Sequence, residues 1–125
     1  MPEISMRQTK EQERAKLAWE LVTKEVRSKN FAGEYKSYVN SAFTLIKTNG
    51  LVQTLSFWKE SKKKDAYKKL TEHLNKMVAK DTDIQIGDLL DKVLECSVSE
   101  YRNFTSSALA CLVWLKRFAE AELED

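Results

Sequence analysis

The sequence has little that would break a helix or build a reactive loop. Its 125 residues include 3 glycines, 1 proline, 2 cysteines and 1 histidine, and the proline is Pro2. So few glycines and prolines argue against the many tight turns of a β-protein, and three isolated glycines cannot form a phosphate-binding loop. Leu, Ala, Lys and Glu are abundant instead, which favours helices.

Long apolar runs are also missing. The longest runs from Ala108 to Leu115, well short of the roughly 20 residues that span a bilayer. The N-terminal stretch MPEISMRQTKEQER is polar and lacks the apolar part of a signal peptide. Cys96 and Cys111 do not have the spacing of a metal or redox motif, and their apolar neighbours are typical of reduced core thiols. We therefore expect a cytoplasmic protein.

Apolar residues recur with the period of a helix along most of the chain. The first stripe is Ala15, Ala18, Trp19, Val22 and Val26, and a second runs from Tyr35 to Ile46. Further stripes follow over 51–58, 67–78 and 86–94, with a loop expected at 80–87. The pattern predicts an all-α fold, a compact single-domain bundle of about five to six helices over residues 1–125. Residues 1–9 are expected to form a flexible tail and 122–125 an acidic one.

The dipeptide Asn49-Gly50 would ordinarily suggest a β-hairpin. Here both flanks have helical periodicity, with Leu45 and Ile46 before it and Leu51 and Leu55 after it. Gly50 is therefore predicted to end one helix in the left-handed region and to turn the chain into the next. Ser97 and Glu100 have the spacing of a capping box at the start of the last helix, which is expected to be central and most buried.

Charge is unevenly distributed, although the net charge is only +2. Residues 1–80 contain 17 Lys and Arg against 9 Asp and Glu, a net of +8. Residues 81–125 contain 4 against 10, a net of −6. Such asymmetry is compatible with a polyanionic partner, and equally with two solvated faces that complement each other or a neighbouring copy.

One helix carries a basic stripe. Lys62, Lys69, His73, Lys76 and Lys80 project to one side of the face formed by Tyr67, Leu70, Leu74 and Met77. Such a row is able to follow a nucleic-acid backbone, but it also fits an ordinary solvated lysine face. No aromatic residue lies clearly on the stripe, so base stacking is not supported.

Residues for catalysis are not evident. His73 is predicted to be a surface histidine without a metal-binding partner, and Thr105, Ser106 and Ser107 have no base nearby. We predict no enzymatic activity, no metal, no cofactor and no small-molecule substrate.

Two segments of the chain resemble the signature motifs of a known family. They are LIKTNGLVQTLSFW and YRNFTSSALACLVWLKRFAEA. The matching residues of the first are Leu45, Ile46, Asn49, Gly50, Leu51, Gln53, Thr54, Leu55 and Phe57. Those of the second are Tyr101, Thr105, Ala108, Leu109, Trp114, Leu115, Lys116, Arg117, Phe118 and Ala119. The chain is similar, from about Gln12 to Ala121, to the small subunit of CRISPR type III-B effectors, the fifth subunit of the Cmr complex.

This resemblance implies a non-catalytic helical subunit used in antiviral defence. Several copies would stack along the RNA-bound backbone of the effector, beside its repeated backbone subunit and in contact with its large subunit. They would touch phosphates of the guide–target RNA rather than read its bases. The alternative is a helical protein-interaction adaptor with no nucleic-acid role. The stripe on the lysine-rich helix lies outside the motifs, so the resemblance does not support it.

Site predictions rest on position along the helices. We predict nucleic-acid contact by Lys62, Lys69, Lys76 and Lys80, and by Lys116 and Arg117, for which pairing with a neighbouring subunit is an open alternative. Gln53 and Thr54 are predicted to face away from the apolar side of their helix, at an interface. The spacing of Trp114, Leu115, Phe118 and Leu55 predicts core positions.

Overall fold

The predicted all-α architecture is confirmed. A computed structural model of the chain describes residues 8–61 and 64–124, and the regular elements within them are helices. The six helices are α1 (Lys10–Glu25), α2 (Ala32–Asn49), α3 (Leu51–Glu60), α4 (Asp65–Thr82), α5 (Leu89–Glu95) and α6 (Val98–Glu122). None of them is both long and apolar enough to cross a membrane.

Helix α6 is the centre of the bundle, as predicted. It packs against α1, α2 and α4, and α4 also packs against α1 and α2. The buried face of α6 includes Phe104, Ala108, Leu112, Leu115 and Ala119. The shorter α3 packs against α2, α4 and α5, and it brings the fully buried Trp58 into the core. A single core therefore connects all six helices.

Side chains satisfy the first backbone N–H groups of several helices. The Ser97 hydroxyl accepts from the Glu100 N–H at 3.1 Å, and the Glu100 carboxylate accepts from the Ser97 N–H at 3.1 Å, so the predicted capping box is present. Thr9 and Gln12 form a second box at the start of α1. A Ser or Thr three residues before Glu or Gln is the signal for both. Thr9 is therefore an ordered N-cap, within the segment predicted to be a tail.

Gly50 joins α2 directly to α3. Its φ is +89° and its ψ is 162°, so the predicted positive φ is confirmed. The ψ value differs from that of the left-handed helix and places Gly50 in an extended region that is nearly exclusive to glycine. Its N–H donates to the Ile46 carbonyl at 2.9 Å and its carbonyl accepts from the Thr54 N–H at 3.2 Å, so one residue ends α2 and begins α3.

Two boundaries differ from the sequence prediction. Helix α4 continues to Thr82 and ends at Asp83, whose φ is +57°, so the loop begins later than residue 80. At the other end of the chain, Glu122 is the last residue of α6 and Leu123 is buried in the core. Within the segment predicted to be an acidic tail, Leu123 is thus packed in the core, whereas Glu124 is exposed.

Candidate interaction surfaces

His73 is buried, so the prediction that it lies on the surface is wrong. Its ring is 1% exposed and lies between the C-terminal end of α1 and the N-terminal part of α2. Nδ1 is 2.7 Å from the Tyr35 hydroxyl, and Nε2 is 3.0 Å from Glu25 Oε1. Because a carboxylate only accepts, Nε2 carries the proton and donates to Glu25, while Nδ1 accepts from Tyr35.

This arrangement keeps the imidazole neutral. Burial lowers the pKa of His73 to about 4, because the nearby Glu25 only partly offsets the loss of solvation. Burial by itself would raise the pKa of Glu25, but the hydrogen bond from His73 and the charges around it outweigh that effect and lower it. The Tyr35 hydroxyl is equally inaccessible. The trio therefore joins α1, α2 and α4, with His73 and Tyr35 enclosed and the Glu25 side chain partly exposed.

A second polar cluster joins α1, α4 and α6. Asp81 accepts two hydrogen bonds from Arg14, at 2.7 and 3.2 Å, and one from the Ser107 hydroxyl at 2.6 Å. Lys10 donates to the main-chain carbonyl of Asp81. Burial tends to raise the pKa of Asp81, but these hydrogen bonds outweigh it and lower the pKa. Ser107 of α6 therefore has a hydrogen-bond partner, Asp81, on another helix, which the sequence of α6 alone does not show.

The described residues hold no group of three or more His, Cys, Asp or Glu side chains arranged for a metal ion. The sequence-predicted sites are instead surfaces, and their charged and apolar side chains determine what each could bind.

The described residues of the basic stripe include Lys69, Lys76 and Lys80, all on α4. Lys62 lies outside the described residues. The Lys69 ammonium is 3.1 Å from Glu72 and 3.5 Å from Glu25, so acidic groups of α4 and α1 neutralise it. Lys76 and Lys80 are exposed, and Lys80 borders the crevice between α1 and α4. Two exposed lysines one turn apart remain as the basic feature of this edge.

Lys116 and Arg117 lie on a different part of the molecule. Both are exposed, and among the described residues neither forms an ion pair or a hydrogen bond. They border a groove of about 440 Å³ between α2 and α6. Its apolar lining includes Phe43, Leu112 and Val113, and Val113 is 40% exposed. These cations therefore stand beside uncovered apolar surface, unlike Lys76 and Lys80.

Trp114 and Phe118, near the end of α6, pack against the core but are only partly buried, so the core prediction is confirmed for their contacts and not for full burial. Phe118 packs edge-on against Trp19 of α1 with ring centroids 5.4 Å apart, and it lies 5.9 Å from Trp114. Trp19 is 42% exposed. Leu115 and Leu55 are buried as predicted. Helical spacing identified the apolar arc of α6 but not which part of it another helix covers.

Gln53 and Thr54 do not share an environment. Gln53 is exposed, as predicted. Thr54 is 2% exposed, and its hydroxyl donates to the Gly50 carbonyl at 2.9 Å. The prediction that Thr54 faces away from the apolar side of α3 is therefore wrong, and its buried hydroxyl is satisfied by a main-chain carbonyl one turn earlier.

One further surface was not identified from the sequence. Leu94 and Val98, on either side of the turn between α5 and α6, are 61% and 70% exposed. Asp91, Glu95 and Glu100 line a shallow groove of about 500 Å³ at this end of the molecule, together with Lys92. Leu94 belongs to the apolar stripe predicted over 86–94, so the spacing of the apolar residues gave no sign that it is exposed.

The fold is an all-helical bundle with exposed apolar and charged residues on its surface. The sequence matches the family described as CRISPR-associated protein (Cas_Cmr5) over residues 10–122. It is 29% identical over 117 residues to the CRISPR system Cmr subunit Cmr5 of Thermus thermophilus, covering 94% of this chain and 98% of that protein.

The structure agrees with this match. It superimposes on the X-ray crystal structure of a CRISPR-associated Cmr5 family protein from Thermus thermophilus with a TM-score of 0.80 and 30% identity. The comparison covers 94% of this chain and all of the other. The chain belongs to the Cmr5 family, the fifth subunit of the CRISPR Cmr complex, and the resemblance deduced from its two motifs is confirmed.

Proposed function

We propose that this protein is a non-catalytic structural subunit of a cytoplasmic, RNA-guided, RNA-targeting Cmr effector. Several copies stack along the guide–target RNA, beside the backbone subunit and next to the large subunit. The observation that carries this proposal is the family match over almost the whole chain, with both signature segments placed in one bundle.

The proposed lack of catalysis is supported by the surroundings of the titratable groups. His73 and Tyr35 are enclosed by three helices, and Asp81 is held by Arg14 and Ser107. A general acid or base must reach the proton that it transfers. These groups instead use their hydrogen-bonding capacity for contacts between helices.

The RNA contact is assigned to the exposed edge of α4. Lys76 and Lys80 are exposed there, and Lys62 is a further candidate from the adjoining part of the chain. Lys69 contributes less, because Glu25 and Glu72 already compensate its charge. Lysines in such a row bind phosphates without reading sequence, which suits an assembly in which the guide RNA supplies the specificity.

Co-purification tests the proposed function. A tagged chain expressed in its native host should bring down other Cmr subunits and a short guide RNA. Recovery of the tagged chain without either would contradict the proposal and would favour the adaptor alternative. A chain that brings down protein subunits but loses them after ribonuclease treatment would show that RNA, rather than protein contact, holds it in the assembly.

A further inference from the structure

Three aromatic side chains from three different helices form one cluster, which we call the aromatic cluster. Tyr38 of α2 and Tyr67 of α4 stack in parallel, with ring centroids 3.7 Å apart and an angle of 3° between the ring planes. Phe57 of α3 forms an edge-to-face contact with Tyr67, with centroids 5.7 Å apart. A projection of α4 alone shows only Tyr67, so the cluster is not evident from the sequence.

The aromatic cluster is held by the core on one side and is open on the other. Both tyrosines are half-buried and pack against the core, and the Tyr38 hydroxyl donates to the Glu34 carboxylate at 3.2 Å. Phe57 is 45% exposed. A single exposed aromatic residue is common on proteins, but neighbouring exposed apolar side chains mark binding surfaces. The ring of Phe57 therefore offers a supported aromatic surface to a partner.

Positive charge lies beside the aromatic cluster. Residues 59–69 contain six lysines against two acidic residues. Lys64 and Lys68 are exposed, and within the described part of the chain neither forms an ion pair. Burial raises the pKa of the Tyr67 hydroxyl, and the charge of Lys64 opposes that rise, so this ammonium group lies near the ring. Aromatic rings beside unneutralised cations are the combination by which proteins bind single-stranded nucleic acid.

We propose that the aromatic cluster is a stacking site for an unpaired RNA base, whose flanking phosphates bind Lys64 and Lys68. The inference rests on the proposed function and deepens it, because it adds a base contact, and a preference for unpaired nucleotides, to the phosphate contacts of α4. Every base has a π-face, so stacking on Phe57 adds affinity without reading the sequence. An acidic peptide would match the lysines, but its carboxylates would not use the ring of Phe57.

Two RNA probes separate stacking from charge. The first is a fluorescein-labelled oligouridine of about 12 nucleotides, within the range of single-strand binding sites. The second has the same length and label but lacks the base at its internal positions, so it keeps every phosphate. Fluorescence anisotropy with the isolated chain, at several salt concentrations, gives the affinity and the salt slope for each probe. The wild type should bind the oligouridine at least about fivefold more tightly, the lower end for one stacked base.

Substitutions of Phe57 test the ring itself. Phe57→Leu keeps an apolar side chain at this exposed position but removes the aromatic surface. It should bind the oligouridine as weakly as the abasic RNA, with an unchanged affinity for the abasic RNA and an unchanged salt slope. Phe57→Trp should bind the oligouridine at least as tightly as the wild type, because an indole also stacks on bases. A ring that served only the fold would not allow this rescue.

Two further variants serve as comparisons. Lys64→Gln should weaken binding of both probes and flatten the salt slope by up to about 0.7, since it removes one phosphate contact. The matched control is Trp19→Leu, which alters a 42% exposed aromatic residue of α1 outside the aromatic cluster. It should bind both probes as the wild type does. Circular dichroism and thermal melting check that each variant is folded.

Several results would overturn the inference. They are equal affinity of the wild type for the two probes, equal losses on both probes in Phe57→Leu, or a loss in Trp19→Leu as large as that in Phe57→Leu. No binding of the oligouridine by the wild type up to about 0.5 mM would overturn it as well. Equal affinity for the two probes leaves the proposed phosphate contact and assembly intact. A chain that co-purifies with neither Cmr subunits nor RNA contradicts the proposed function itself, so the two failures are distinguishable.

Discussion

The hydroxyl of Tyr101 accepts a hydrogen bond from the main-chain N–H of Val52 at 3.1 Å, across 49 residues of sequence. Val52 lies in the first turn of α3, where N–H groups have no partner within the helix, and the residue before the helix is a glycine with no side chain to cap it. Tyr101 thus serves as a cap supplied by another helix. The contact joins the two motifs by which the family was identified.

Replacing Tyr101 by phenylalanine tests this cap. The ring remains and only the acceptor is lost, so we expect a loss of about 1 kcal/mol in the free energy of unfolding, typical of one hydrogen bond. Urea unfolding followed by circular dichroism measures the change. A stability equal to that of the wild type would show that water replaces the hydroxyl at no cost.

Gly50 gives a second prediction, from backbone geometry. At its φ of +89° and ψ of 162° a residue with a Cβ is strained, so Gly50→Ala should lose about 1–3 kcal/mol of stability. A Cβ at this position would lie 3.4 Å from the Tyr101 hydroxyl, so crowding adds little.

Gly87→Ala is the matched control for Gly50→Ala. A Cβ there meets no atom within 4 Å, and its backbone is not in the positive-φ region. Its stability should be unchanged or slightly raised, because alanine restricts the unfolded chain. Equal losses in the two variants would show that the backbone at Gly50 relaxes without strain.

His73 makes stability depend on pH. Its pKa is about 4 in the folded protein and close to 6.5 in the unfolded chain, so the unfolded state binds the proton more tightly. The stabilisation is fully present above about pH 6.5 and is lost as the pH falls toward 4. Between pH 7 and pH 5 the free energy of unfolding should decrease by about 2 kcal/mol. The lowered pKa of Glu25 acts in the same direction, at still lower pH.

This pH dependence is measurable without ambiguity, since the chain contains a single histidine. Urea unfolding at several pH values gives the stability, and the proton NMR signal of the imidazole gives its titration. Stability that stays constant from pH 7 to pH 5, with a histidine that titrates near 6.5, would place His73 in contact with solvent.

The two tryptophans of the motif segments should differ in their contribution to stability. Trp58 is 1% exposed, so Trp58→Ala should cost about 3–5 kcal/mol. Trp114 is half-buried beside Phe118, so Trp114→Ala should cost roughly half as much. Thermal and urea unfolding of the two variants provide the comparison. Equal costs would indicate that Trp114 is enclosed as fully as Trp58.

The sequence predicted the helices well because each apolar stripe is a local property of one helix. The stripe from Tyr35 to Ile46 and the capping box at Ser97 need no information from elsewhere in the chain. Errors arose where a second helix decides the environment. His73 is buried beside Tyr35 of α2 and Glu25 of α1, which form hydrogen bonds with its ring. Glu25 also neutralises the charge of Lys69.

The surfaces were harder to predict for the same reason. Leu94 has the spacing of a core residue, yet it is 61% exposed near the end of α5. Trp114 lies beside Phe118 of the same helix, and it is Phe118 that contacts Trp19 of α1. The surroundings of Lys116 and Arg117 depend likewise on Phe43, which α2 contributes to the groove that these two cations border. A projection of one helix shows neither neighbour.

The salt dependence of RNA binding tests the exposed edge of α4. Each phosphate that a lysine neutralises contributes about 0.7–0.9 to the slope of log affinity against log salt. Lys76→Gln combined with Lys80→Gln should therefore weaken RNA binding equally across sequences and flatten the slope by up to about 1.4–1.8. Folding stability should hardly change, because exposed lysines contribute little to it. Fluorescence anisotropy with a short labelled RNA, at several salt concentrations, measures both quantities.

The control for this last prediction is the pair Lys24→Gln and Lys29→Gln, since both lysines are exposed and lie outside α4. Lys10 is unsuitable because its ammonium group holds the Asp81 carbonyl. If the control loses as much affinity and slope as the α4 variant, the lysines act only through the overall charge of the chain, and Lys76 and Lys80 are a solvated face. If only the α4 variant loses affinity and slope, RNA phosphates bind at the exposed edge of α4. This holds even if one copy binds RNA weakly, because several copies acting together bind it more tightly.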